Sequence, residues 1–259
     1  MSPMTKRPPP PLALAYHGVA DVPLRRDPHG LFVRPRDLER QIHKLKSWGY
    51  ELVRFGELAA ALGGGGGGGL AALTFDDGPA DNLDSLAPIL RAEGVSATVF
   101  VVSRWLGESH PQAPWARILS HDGVRSLHRM GVEIGSHTAT HPDLSKLGYA
   151  DVLAELEDGK RELETVIDAP VEVLAYPYGR ASEQTVAAAR EAGYRAACRI
   201  SGEGDWRDAL NLPRQDMDNG ATLLGLRLKR DNRYESLIGR RTGQLARGLA
   251  RAARGATGR

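Results

Sequence analysis

The chain has 259 residues, of which 41% are hydrophobic and 25% charged, with a net charge of +2, a composition that excludes a disordered or membrane-spanning class. Its single cysteine, Cys198, excludes an internal disulfide and any cysteine-rich zinc module, so a bound metal must be held by histidines and carboxylates. No apolar run approaches the roughly 20 residues of a spanning helix, and the run after the four prolines, Leu12–Tyr16, is too short for a signal sequence, so a cytoplasmic enzyme is the expectation.

In chain order, Leu12–Tyr16 reads as a strand that ends on His17, and 35–48 as a helix. A short helical piece then leads into seven glycines at 63–69, a flexible surface loop rather than a phosphate cradle, because no Lys-Ser/Thr follows and the next element is a strand. That strand is Leu70–Phe75. Helices at 82–93, 123–130, Tyr149–Ile167 and 182–192 alternate with strands at 97–102, 132–134, 171–175 and 194–198. Gly94, Gly131 and Gly193 each stand between a helix and the next strand, where a helix C-cap is needed. Such alternation predicts an α/β fold with a parallel sheet whose functional groups gather at the C-terminal strand ends.

Charge is unevenly placed along this pattern. Residues 227–259 hold ten Arg and Lys against Asp231 and Glu235, a balance of +8 that leaves −6 on residues 1–226. The expected organisation is one catalytic domain over 1–226 and a basic C-terminal tail over 227–259, partly helical or frayed, able to lie on anionic membrane. Four glycines within 240–259 and no aromatic residue after Tyr234 argue against a nucleic-acid partner.

Three stretches at strand ends carry candidate chemistry. In LAALTFDDGP, Asp76 and Asp77 end an apolar strand. An Asp-Gly turn needs only one of them, and two buried carboxylates are costly unless a cation or a substrate proton uses the pair. In SHTATH, His137 and His141 follow the strand at 132–134; on a helical turn residues four apart share a face, so both imidazoles can reach one ion. Two imidazoles and one carboxylate suit Zn²⁺ or another divalent transition metal with an open position, and leave the second carboxylate as a general base. In YPYG, Tyr176, Pro177 and Tyr178 form either an ordinary βα loop or a site wall whose rings stack on a sugar and whose backbone N–H meets an oxyanion.

In that order and spacing, TFDDG, SHTATH and YPYG resemble the polysaccharide deacetylases of carbohydrate esterase family four, the NodB-like domain, over about residues 16–228. The resemblance implies a distorted (β/α) barrel, with Asp76 as catalytic base and Asp77, His137 and His141 as metal ligands. It further implies hydrolysis of N-acetyl groups on an amino-sugar-containing glycan or glycoconjugate, with the Tyr178 N–H helping to stabilise the tetrahedral intermediate. Two features of the family pattern are missing. The third motif lacks its arginine, a charge that Arg214 could supply from a later strand, and the C-terminal Leu-x-His is absent; the opening Tyr-His strand resembles that of members in which the histidine, here His17 at a strand end beside Gly18, is expected to stand in as general acid.

Asp205 and Trp206 resemble the family's acidic-aromatic fourth motif loosely, with Trp206 in the substrate groove; Trp48, Trp105 and Trp115 are expected to pack, and His43, His110, His121 and His128 to be structural or surface residues. The same site could instead hydrolyse a cyclic ureide or imide, or serve a carbohydrate-binding protein without catalysis.

Overall fold

The computed structural model describes residues 7–231 apart from Leu24, Gln112, 201–202 and 219–221. In chain order the elements are β1 (Leu12–Tyr16), β2 (Gly18–Val19), β3 (Phe32–Val33), α1 (Pro35–Ser47), β4 (Glu51–Val53), α2 (Phe55–Gly63), β5 (Leu70–Phe75), α3 (Ala87–Glu93), β6 (Thr98–Val101), β7 (Ser109–His110), β8 (Ala113–Arg117), α4 (His121–Arg129), β9 (Glu133–Ser136), α5 (Tyr149–Ile167), β10 (Val173–Ala175), α6 (Glu183–Glu191), β11 (Ala196–Cys198), β12 (Gln215–Asp216) and α7 (Leu223–Arg230).

The expected strands and helices form, with ends displaced for local reasons. Val171 donates its N–H to Glu164 Oε1, and the Tyr194 N–H returns to the Ala189 carbonyl, so β10 and β11 begin after the apolar runs do. The helix expected over 82–93 opens with a wide π turn, Asn82–Leu86, ahead of Pro88, which has no N–H to continue an α ladder. Gly94, Gly131 and Gly193 lie at positive φ, as helix-ending residues do. Strands β4 and β12 and the β7–β8 hairpin are too short for periodicity to reveal.

The main sheet is parallel throughout, in the order β11-β10-β9-β6-β5-β1-β12, and β4 and β6 share one edge of β5. The segment after β11 joins the two ends of that order. The Leu212 N–H donates to Ala197 and the Arg199 N–H to Leu212, after which Gln215 and Asp216 pair with Leu14 and Ala15 of β1. The sheet thereby curls into the distorted (β/α) barrel that the family resemblance implies.

Ala13, Ala72, Ala175 and Ala196 leave room inside for Phe100, and α2 adds Phe55 and Leu58 to the same cluster. The Phe55 N–H donates to Thr98 Oγ1 and the Gly56 N–H to Glu133 Oε2, which pins α2 across the N-terminal strand ends. The opposite end is left to the loops. Glycines 63–69 connect α2 to β5, and Gly69 N–H donates to the Pro9 carbonyl.

Contacts divide the chain into two compact units, Met1–Gly220 and Ala221–Arg259. In the second, α7 is capped by the Thr222 hydroxyl, which accepts from the Gly225 N–H. The expected membrane-binding tail lies outside the described residues from 232 onward. Among the described residues no helix is long and apolar enough to cross a membrane.

Helix α5 lies directly against the loop after β9. A Cβ on Gly159 would stand 2.7 Å from the Thr138 carbonyl carbon and 2.9 Å from the Ala139 nitrogen. Alanine in a helix interior ordinarily stabilises by about 1 kcal/mol, but overpacking against main chain costs about 1–3 kcal/mol. Gly159→Ala is therefore expected to lower the urea midpoint, and an increase would show that the loop yields freely.

Candidate active site

The register of the sheet gathers the candidate residues at the C-terminal strand ends. Tyr16 lies opposite Phe75, and the Asp76 N–H donates to the Tyr16 carbonyl, so the Asp pair sits beside His17. Ser136 pairs with both Val101 and Leu174, which brings the loop after β9 beside the ends of β6 and β10. Among the described residues five non-glycine residues have positive φ, and Asp77, Thr138, His141 and Tyr178 are four of them. Such conformations are disfavoured for L side chains and cluster where a site fixes direction at the expense of local comfort.

Asp76 and Asp77 are both buried, at 2% and 5% exposure, yet their surroundings differ. Asp76 receives Arg214 in a two-pronged pair, Nη1 to Oδ1 at 2.7 Å and Nη2 to Oδ2 at 2.8 Å. Arg214 Nη1 also reaches Thr74 Oγ1 and its Nε donates to the Arg199 carbonyl. Burial would raise the Asp76 carboxyl, but the Arg214 charge, helped by His137 and His17, holds it below its ordinary value.

Asp77 is ringed by imidazoles instead. His110 Nε2 lies 3.0 Å from Oδ2 and His17 Nε2 3.9 Å from it, while His137 and His141 present Nε2 to Oδ1 at 3.6 and 3.5 Å. Against the upward push of burial, the His110 hydrogen bond and the neighbouring imidazoles hold this carboxyl far below the usual range. His137 Nδ1 contacts the Ala175 carbonyl at 2.7 Å, which assigns its proton to Nδ1 and leaves Nε2 as a lone pair aimed at Asp77. Burial first, then the nearby His137, pushes His141 down to about 4, so that it is neutral near pH 7.

The three sequence-predicted ligands come together as expected. One donor atom each from Asp77, His137 and His141 lie within 4.8 Å of one another. Asp77 Oδ1 is buried without a hydrogen-bond partner, an arrangement costly for a carboxylate oxygen unless a cation faces it. This orphaned oxygen and two imidazole lone pairs fit a divalent transition metal. The means of convergence differs from the sequence expectation. Residues 137–141 form no helical turn: the His137 N–H continues to the Val101 carbonyl, and positive φ at Thr138 and His141 folds the second imidazole back. Helix α5 holds that loop through Glu155, whose carboxylate accepts from the Ala139 and Thr140 N–H groups.

Other residues divide. His17, 23% exposed at its side chain, lies at the mouth beside Asp77. Pro177 is buried, and Tyr178 is 47% exposed with its ring 4.8 Å from that of His141. Tyr176 is not a site wall: its side chain is fully buried and its hydroxyl donates to the Leu210 carbonyl. Trp206 packs against the barrel-interior cluster instead of joining these contacts. Two residues assigned to packing or surface roles lie at the site. His110 is buried against Asp77, and Trp105 places its ring 5.1 Å from His141 and 5.4 Å from His110. Their loop and hairpin carry no spacing signal that sequence could register.

Replacing Arg214 by Met would strand Asp76 as a buried, unpaired charge, at a cost of about 3–5 kcal/mol. The native pair, with a depressed folded pKa at Asp76, contributes stability above the unfolded pKa and loses it as pH falls. In Arg214→Met burial dominates, the folded pKa of Asp76 rises, and acidification relieves the penalty. Urea midpoints of the two proteins should therefore converge from pH 7.5 to pH 5; a constant gap would contradict the ion-pair account.

The chain is similar to known proteins in sequence and in fold. The family model described as polysaccharide deacetylase matches residues 64–197, just over half the chain. YxkH of Bacillus subtilis (strain 168), whose name assigns it provisionally to polysaccharide deacetylases, is 26% identical over 70% of this chain and 61% of its own. The chitooligosaccharide deacetylase of Sinorhizobium fredii (strain NBRC 101917 / NGR234) is 30% identical over 52% of this chain and 58% of its own. The match thus spans about six tenths of these relatives' length. The solved structure of Streptococcus pyogenes deacetylase PplD in complex with acetate superposes with a TM-score of 0.73 at 24% identity, covering 85% of this chain and 97% of PplD. With its barrel, its ordered motifs and this match, the chain belongs to the polysaccharide deacetylase family.

Proposed function

We propose that the protein hydrolyses N-acetyl groups of an amino-sugar-containing glycan or glycoconjugate, with a divalent transition metal such as Zn²⁺ held by Asp77, His137 and His141. The observation that carries this reading is the unequal neutralisation of adjacent carboxylates, one by a guanidinium and the other by imidazoles. A binding protein has no use for that division; a hydrolase needs one carboxylate to hold a cation and another to take a proton.

When bound, the ion supplies Lewis acidity, polarising the acetyl carbonyl and acidifying water enough for a carboxylate of low pKa to act as base. Asp76 takes the proton from the attacking water while Arg214 fixes the direction of its two oxygens. The water oxygen forms a bond to the acetyl carbon, and the Tyr178 main-chain N–H donates to the carbonyl oxygen as it gains charge. As the carbon–nitrogen bond breaks, His17 Nε2 delivers a proton to the departing nitrogen. The products are acetate and a free amine. The exposed Tyr178 ring supplies an apolar face beside the site for a sugar.

The S. fredii relative makes N-acetylglucosamine oligomers the first substrates to try. Acetate release is expected from the zinc-loaded protein, lost on chelation and restored by zinc. Asp76→Asn should lower the rate by about 10²–10⁴-fold, the usual worth of a positioned proton acceptor, with zinc still bound. Acetate release indifferent to chelation or to Asp76→Asn would contradict the mechanism, and zinc binding with no acetate released would contradict the substrate.

A further inference from the structure

We propose that His110 is a positioning residue for the metal site: its Nε2–H holds Asp77 Oδ2, so that only Oδ1 faces the ion. The proposal rests on the reading of Asp77, His137 and His141 as metal ligands. His110 is buried at 4% exposure, and its two ring nitrogens have distinct roles. Nδ1 accepts the Ala113 N–H at 3.2 Å. With Nδ1 accepting, Nε2 is the ring nitrogen that bears a proton to donate, and it lies 3.0 Å from Asp77 Oδ2.

Backbone pairing makes this contact part of the fold. His110 ends β7, whose hairpin with β8 contains Ala113. The strand leaving the hairpin is laced to the residues immediately after Asp77, since the Ala80 N–H donates to the Arg117 carbonyl and the Leu119 N–H to the Gly78 carbonyl. On its other side, the Gly107 N–H donates to Leu119 and the Ile118 N–H to Glu108. Asp77 and His110 thus ride one hydrogen-bonded unit, and the Trp105 ring stands against both His110 and His141.

The consequence concerns how the carboxylate meets the ion. With Oδ2 taken, Asp77 is disposed to bind through one oxygen, and its carboxylate plane is set before metal arrives. Hydrogen-bond partners that orient metal ligands typically contribute about 10–100-fold to metal affinity. His110 is not proposed to touch substrate or to be a fourth ligand.

The test compares His110→Ala, which removes the donor, with His110→Gln, whose side-chain amide offers an N–H near the position of Nε2. Zinc affinity is measured by competition with a chromogenic chelator, far-UV circular dichroism reports folding, and the visible spectrum of the Co²⁺-substituted protein reports coordination. His110→Ala is expected to bind zinc about 10–100-fold more weakly with an altered Co²⁺ spectrum, while His110→Gln stays within about threefold of the parent, well below that range. Unchanged zinc affinity in folded His110→Ala overturns the proposal. So does a His110→Gln protein as weak as His110→Ala, because packing rather than the donated hydrogen bond would then be at work. Should His110→Ala fail to fold, His110→Asn, with too short a reach for Oδ2, takes its place under the same criteria. Failure of the parent protein to bind zinc one to one would contradict the metal-site reading itself and is separately visible.

Discussion

The buried pair of Arg214 and Asp76 is the interaction on which both barrel closure and site chemistry depend. Arg214 enters from the segment that bridges β11 to β1, and its Nε and both terminal nitrogens are hydrogen-bonded inside the protein. Through Thr74, whose hydroxyl donates to the Leu14 carbonyl, the guanidinium ties β1, β5 and the closing segment together. A charge this deep is tolerable only when paired and fully hydrogen-bonded. The requirement works in both directions: the ion pair makes closure specific, and closure keeps Asp76 ionised and immobile.

Once Asp76 is neutralised by Arg214, its neighbour can be given a different environment. Positive φ at Asp77 turns the second side chain away from the first, so that adjacent residues meet different partners. The local conformational cost is carried by surrounding structure: the hairpin laced to 78–80, and helix α5, whose Glu155 and Gly159 fix the loop after β9. Rigid elements on two sides thus hold one candidate ligand atom each from Asp77, His137 and His141 in one small volume, a condition for binding an ion without large rearrangement.

Much of this was legible in sequence because the strands end where the chemistry begins. The alternation of apolar runs and amphipathic helices gave the parallel sheet, and its C-terminal ends brought Asp76, Asp77, His137, His141, His17 and Tyr178 together. Arg214 emerged from the absence of an arginine in the third motif. Other features depended on geometry that spacing does not encode. The convergence of His137 and His141 comes from two left-handed residues rather than a helical turn. Tyr176 looked like Tyr178, and a continuing strand would have put both rings on one face, but β10 ends at Ala175 and the tight turn Pro177–Gly179, with Tyr178 at positive φ, leaves one ring inside and the other at the surface. His110 reaches Asp77 through hairpin pairing 33 residues later, which leaves no periodic trace.

On the reading proposed above, Asp77 holds a cation while Asp76 stays with Arg214. A crystal structure of the zinc-loaded protein, with anomalous diffraction recorded across the zinc edge, tests it most directly. One anomalous peak is expected about 2.0–2.2 Å from Asp77 Oδ1, His137 Nε2 and His141 Nε2, with the Asp76–Arg214 pair intact. A peak coordinated by Asp76, or zinc bound with Arg214 displaced from Asp76, would contradict it.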